Sequence, residues 1–112
     1  MNWIPLTKEE QIAELMEQSK QIPCLVFKHS TRCSISSIAK HRLEDDWSFS
    51  PEEMAPYYLD LISYRTLSFK IAEDFQVHHE SPQVLLIVDG ECVYDASHLD
   101  ISVAELKEVL PA

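Results

Sequence analysis

Three residues of this 112-residue chain carry a thiol: Cys24, Cys33 and Cys92. They are odd in number and widely spaced, and no Cys-x-x-Cys pair occurs, so neither a structural disulfide framework nor a zinc knuckle is expected. Cys33 differs from the other two in its surroundings. It follows an apolar run, Cys24-Leu25-Val26-Phe27, and a polar loop, His29-Ser30-Thr31-Arg32, and it opens a helical pattern. Free N–H groups and about half a positive charge at a helix start favour a thiolate over a thiol. Arg32 is adjacent, and Lys28 and His29 at the strand end add positive field. Three positions on stands Ser36, which cannot form a disulfide. A Cys-x-x-Ser site confines exchange to one sulfur, with an external thiol completing the cycle and the serine hydroxyl placed to hydrogen-bond the thiolate. Cys24 and Cys92 fall in predicted strands and read as core residues. The competing reading is that one of them resolves Cys33 from inside the sheet.

Pro82 is the second candidate element, in Glu80-Ser81-Pro82-Gln83 just before a strand. A proline there is expected beside the helix start that carries Cys33, with a cis bond before it. It would expose the backbone of Ser81 to pair with an extended thiol substrate. The histidines (His29, His41, His78, His79 and His98) lack the ligand spacing of a zinc motif, and no metal is expected.

These residues need elements to position them. Thr7-Lys8-Glu9-Glu10 reads as a capping box opening a helix whose inward face is Ile12, Leu15 and Met16. Pro23 ends it, and Cys24–Phe27 is a buried central strand. A helix from Cys33 or Ser34 into Arg42 or beyond has Ile35, Ile38, Ala39 and Leu43 as its expected inward face. Residues 44–53 are acidic and irregular, with Pro51 and Pro56 as punctuation. Tyr57–Ile62 is a strand, and Ser63 is the expected cap of a helix with Leu67, Ile71, Ala72 and Phe75 inward. Val84–Val88 and Glu91–Asp95 form a hairpin about Asp89-Gly90, which holds the chain's single glycine. A last helix covers Ser102 to Leu110, with Ser102 and Glu105 as a capping box. Trp3 and Trp47 read as packing residues. The first half alternates as a parallel βαβ unit and the second adds a hairpin and a closing helix. A four-stranded mixed sheet with helices on both faces, the thioredoxin-like α/β arrangement, is the simplest packing, as one domain over residues 1–112.

The net charge of −10, nine Lys and Arg against nineteen Asp and Glu, would repel a polyanion, so no nucleic-acid partner is expected. No apolar run approaches the roughly 20 residues that span a bilayer, and the start Met1-Asn2-Trp3-Ile4-Pro5 lacks the features of a secretory signal. A cytoplasmic protein with no membrane partner is expected.

The segment Lys28-His29-Ser30-Thr31-Arg32-Cys33-Ser34-Ile35-Ser36 resembles the active site of the monothiol bacilliredoxins, the YtxJ-like bacillithiol system proteins. Trp3-Ile4-Pro5-Leu6, His79-Glu80-Ser81-Pro82-Gln83 and Ala96-Ser97-His98 are similar to the same family, so the resemblance spans nearly the whole chain. It implies a thioredoxin fold and removal of bacillithiol, or a similar low-molecular-weight thiol, from protein mixed disulfides, with Cys33 as attacking sulfur. That family commonly has Cys-Pro-Ile-Ser, and here Ser34 stands where its proline would be, which implies a softer helix start.

The expected catalytic residues are therefore Cys33 and Ser36, with Thr31, Arg32, Ser81, Pro82 and His98 contacting substrate. A cationic His98 would suit the malate carboxylates of bacillithiol; a solvated loop histidine beside a helix-capping Asp100 is the other reading. No cofactor is expected to be bound, the small thiol being a co-substrate. The partners are S-thiolated client proteins, and the protein is expected as a monomer or weak dimer. The alternative function is a non-catalytic binding or redox-sensing module on the same fold.

Overall fold

The central strand β2, Cys24–His29, carries six consecutive buried residues, as a strand covered on both faces must. The computed structural model describes residues 1–110, so positions 111–112 of the expected domain lie outside the described residues. Around β2 the strands run β1 (Ile4–Pro5), β3 (Ala55–Asp60), β2, β4 (Gln83–Val88), β5 (Glu91–Ser97). β1 and β2 are parallel to β3, whereas β4 is antiparallel to both β2 and β5. The sheet thus has five strands rather than the expected four. β1 is two residues long and contains Pro5, which has no N–H to donate; such a strand fits an edge and leaves almost no alternating pattern. Its pairing continues through Leu6, whose N–H donates to the Tyr58 carbonyl at 2.8 Å.

Alternation along β2 divides the core into two layers. Cys24 and Val26 face α1 (Glu10–Gln18) and α3 (Arg65–Phe75), packing among Ile12, Leu15, Leu67, Ile71 and Phe75. Leu25 and Phe27 face α2 (Ser34–Asp46) and α4 (Val103–Val109), among Ala39, Leu43, Val103 and Leu106. Trp3 stacks on Phe27 at 5.5 Å and leans on Trp47 at 6.3 Å, the packing role expected of both. The thioredoxin arrangement is present.

Several local expectations are corrected. Thr7 and Glu10 do not form a capping box. The Gln11 side chain instead accepts from the N–H groups of Thr7 and Lys8 and donates to the Pro5 carbonyl, which fixes the turn entering α1. Ser63 does not cap α3; its hydroxyl donates to Asp60 Oδ2, and Tyr64 occupies the cap position. On α2 the buried residues are Ser36, Ala39 and Leu43, while Ile35 and Ile38 are 41% and 51% exposed. The apolar spacing of Ile35 and Ile38 suggested the inward face, but the hydrogen bonds of Ser36 turn this helix by about one position. Ser102 caps α4, accepting the Glu105 N–H at 3.1 Å, which is half of the expected capping box; a return bond to the Glu105 carboxylate is not present among the described residues, and Asp100 lies in a single 3₁₀ turn, His98–Asp100.

Candidate functional site

Cys33 is the N-cap residue of α2, with extended backbone (φ −112°, ψ 122°) and a partly exposed side chain. Its N–H donates to the Ser30 carbonyl at 3.2 Å, closing the Ser30–Cys33 turn, and its carbonyl accepts the Ser37 N–H at 3.1 Å. The sulfur therefore stands where the first turn of α2 presents unpaired N–H groups. Thr31 and Arg32 are exposed on the same turn.

Ser36 is fully buried below it. Its hydroxyl accepts the Ser30 N–H at 2.9 Å and lies 2.6 Å from Nδ1 of His29. Among the described residues these are its partners, and the expected bond to the Cys33 sulfur is not among them. Ser36 thus holds the Ser30 end of the turn while the Ser30 carbonyl holds the Cys33 end. His29, predicted as loop, is the buried last residue of β2, stacked on Phe27 (5.6 Å) and tilted against Tyr58 (5.7 Å). Burial, and then the charge of Lys40, lower its pKa and favour the neutral ring; Asp60, Ser36 and Glu44 oppose this.

The second arm is the loop before β4. The Ser81–Pro82 bond is cis. Lys28 pairs with Gln83 and Gln83 with Ser97, so one step further Pro82 lies between His29 on one side and His98 on the other. The His98 N–H donates to the Pro82 carbonyl at 3.0 Å. His29, Pro82 and His98 thus form a row across one end of the sheet, about 10 Å wide at ordinary strand spacing, at the end from which the Cys33 turn rises. The His98 ring is exposed, 3.7 Å from Glu80 Oε2, and His78 approaches the other oxygen of Glu80 at 3.8 Å. Arg42 on α2 reaches the Leu99 carbonyl at 3.3 Å, tying the His98 turn to the helix of Cys33. The Ser81 hydroxyl is buried without a hydrogen-bond partner among the described residues.

The other thiols lie elsewhere. Cys24 begins β2 and, with Cys92, flanks Ile87 across three strands. The length of β2 puts them about 16 Å from the His29 end, well beyond the 4.4–6.8 Å between Cα atoms that a disulfide needs. Burial pushes the Cys24 thiol up to about 11 and raises that of Cys92.

Residues 4–106 match the family Monothiol bacilliredoxin BrxC. The chain belongs to that family. Among solved structures it is similar to a protein provisionally described as an oxidoreductase with a thioredoxin fold, at 35% identity and a TM-score of 0.78 over 94% of this chain and 90% of the other. Thioredoxin from Fasciola hepatica matches with a TM-score of 0.71 at 18% identity (95% and 94% covered). That from Malassezia sympodialis matches with 0.73 at 7% (97% and 88% covered). At such identities these two speak for the fold alone. Family and fold support a thiol oxidoreductase role for this BrxC-family protein. No helix among the described residues is long and apolar enough to cross a membrane.

The departure from the family pattern, Ser34 for proline, leaves α2 starting at Ser34, the position directly after the cap. Reading of the sequence missed two residues of this bacilliredoxin site as structural members: Lys28, fully buried, and His79, whose Nδ1 is 3.2 Å from Lys28 Nζ. One signal was present. The apolar run of β2 continues into Lys28-His29 with no turn residue between them.

Proposed function

We propose that the protein is a monothiol thiol–disulfide oxidoreductase that removes bacillithiol, or a similar small thiol, from S-thiolated client proteins through Cys33. The observation that carries this reading is the isolation of the partly exposed Cys33 sulfur at the head of α2, with a serine three residues on and the other two thiols, on β2 and β5, at the opposite end of the sheet. Family membership supports it.

The Cys33 thiolate attacks the small-thiol sulfur of the client mixed disulfide. A new S–S bond forms to Cys33, the client S–S bond breaks, and the client cysteine leaves as a thiolate that takes up a proton. A second small-thiol thiolate then attacks the Cys33 mixed disulfide, releasing the symmetrical small-thiol disulfide and restoring Cys33; disulfide is exchanged and no outside oxidant enters. Thr31 and Arg32 border the approach on the turn side. Ser81 and Pro82 border it on the sheet side, where the Ser81 backbone pairs with the client strand. Ser36 acts by fixing the turn that presents Cys33. His98 stands at the end of the row for a carboxylate of the small thiol, in competition with Glu80. No cofactor is required. The small thiol is a co-substrate, the clients are the partners, and the reduced cytoplasm is the setting that suits a single free reactive thiol.

The test is release of bacillithiol from a bacillithiolated client in the presence of excess bacillithiol. The expected result is catalytic release by the wild type and by a Cys24→Ser/Cys92→Ser double variant, and none by Cys33→Ser. Release that persists in Cys33→Ser refutes the mechanism; one labelling event per molecule without turnover assigns the protein to redox sensing instead.

A further inference from the structure

Lys28 is out of keeping with its place. It lies in the central strand after four buried apolar residues, it is 0% exposed, and among the described residues it enters no salt bridge with a carboxylate. A buried ammonium without a counter-charge opposes folding, and methionine would fill the same space without that cost. What the ammonium does have is His79: Nζ is 3.2 Å from the ring Nδ1. Ser68 Oγ of α3 is 3.3 Å from the same nitrogen, and Phe69 packs on the ring at 4.7 Å. Since lysine can only donate, Nδ1 accepts, and the ring is neutral with its proton on Nε2.

We propose that Lys28 is a positioning residue that holds the His78–Pro82 loop in the shape that receives an extended client peptide, by donating a hydrogen bond from its buried ammonium to His79. The loop is anchored at two successive residues. Gln83 Nε2 donates to the His78 carbonyl at 2.9 Å, and Lys28 takes the His79 ring. Two residues beyond His79 comes Ser81, whose backbone meets the client. The inference rests on that reading of Ser81–Pro82 and extends it to a side chain on the opposite face of the sheet from Cys33. Burial lowers the Lys28 pKa to about 8, which still leaves it a donor at neutral pH.

The anchor carries its own acid limit. The groups facing His79 are Lys28 from β2, Arg65 and Ser68 from α3, and His78 and Glu80 from its own loop. Burial first, and then the charge of Lys28, lower its pKa; His78 and Arg65 act in the same direction and Glu80 opposes them. Once protonated, both ring nitrogens are donors, and Nδ1 can no longer accept from Lys28.

The experiment compares two electrophiles on Cys33. One is an extended peptide whose cysteine is disulfide-linked to thionitrobenzoate; the other is the free dithiobis-nitrobenzoate reagent, which needs no loop. Neither depends on which small thiol is physiological. Lys28→Met and His79→Leu are expected to slow the peptide reaction about tenfold, the scale of one hydrogen bond, and the free-reagent reaction less than about twofold. His79→Asn, whose Oδ1 replaces Nδ1 as acceptor, restores the peptide rate. In the wild type the peptide preference falls as pH drops through the lowered His79 pKa, which lies below the ordinary histidine value of about 6.5; in His79→Asn it does not. Equal slowing of both reagents, an unchanged peptide rate in Lys28→Met, or failure of His79→Asn to restore it would each overturn the proposal. A wild-type protein inert to both reagents would remove the Cys33 reading and this one with it.

Discussion

Replacing Lys28 by methionine removes an enclosed ammonium and leaves a side chain of similar length. In the unfolded chain the amine titrates near 10.5; in the fold, burial brings it down to about 8. At about 1.4 kcal/mol for each tenfold change, the charged form is disfavoured in the fold by about 3 kcal/mol. Between pH 8 and 10.5 the unfolded wild type binds a proton that the folded protein does not, so stability rises with pH across that window. Below pH 8 both states are charged and the full penalty stands; above 10.5 it is gone. The assay is urea unfolding followed by Trp3 and Trp47 fluorescence at several pH values from 7 to 10.5, for wild type and Lys28→Met. The burial-raised thiol of Cys24, at about 11, and phenol of Tyr57, at about 12, have the opposite slope. They are common to both proteins and cancel in the difference. The expected difference is flat up to about pH 8, after which wild type gains about 3 kcal/mol on the variant by pH 10.5. A difference that stays constant over the whole range refutes the burial argument.

Three further outcomes are expected. Cys33 already has the extended backbone that a following proline demands, and Ser34 is the first helical residue, so Ser34→Pro is tolerated and raises unfolding free energy by about 0.4–1 kcal/mol in the same urea assay. His29 and His79 both have lowered pKa values, chiefly through burial. The unfolded chain therefore takes protons first on acidification: their contribution is complete above about pH 6.5 and is lost as pH falls through the lowered folded values, so the urea midpoint drops between pH 7 and 5 and less so in His79→Asn. Gly90→Ala places a Cβ at φ +79° in the hairpin turn and costs about 1 kcal/mol or somewhat more, read as a lower midpoint at unchanged slope.

The fold was legible where apolar patterning is unambiguous. The runs at 24–27 and 84–88, the Asp89-Gly90 turn and the Ser81-Pro82 element lie where reading of the residues put them. What was not legible depends on partners distant in sequence. Lys28 reads as a charged strand end and His29 as the start of a polar loop until His79, fifty-one positions from Lys28, and Ser36 give them burial and hydrogen bonds. On the inward face of α2, Ala39 and Leu43 are buried as expected, but Ile35 and Ile38 were misread because isoleucines at helical spacing outweigh a serine in any local count, whereas the serine's two hydrogen bonds decide the rotation. β1 escaped notice because two residues contain no period. Within the site, the position of Cys33 was readable from its neighbours, while the buried polar groups beneath it and beneath the Pro82 loop were not.

The hairpin tip has one more consequence. The Asp89 N–H donates to the Ser19 carbonyl at 2.9 Å, and the Gly90 N–H donates to the Ser19 hydroxyl at 2.8 Å, at the end of α1. Amides at the tip of an ordinary hairpin turn face water and exchange their hydrogens freely. Here the two turn amides are sealed by a helix that precedes them by about seventy residues. Their exchange reports the lifting of α1 rather than the fraying of β4 and β5, and gives a local clock for the opening of the α1 face, independent of anything that happens at Cys33.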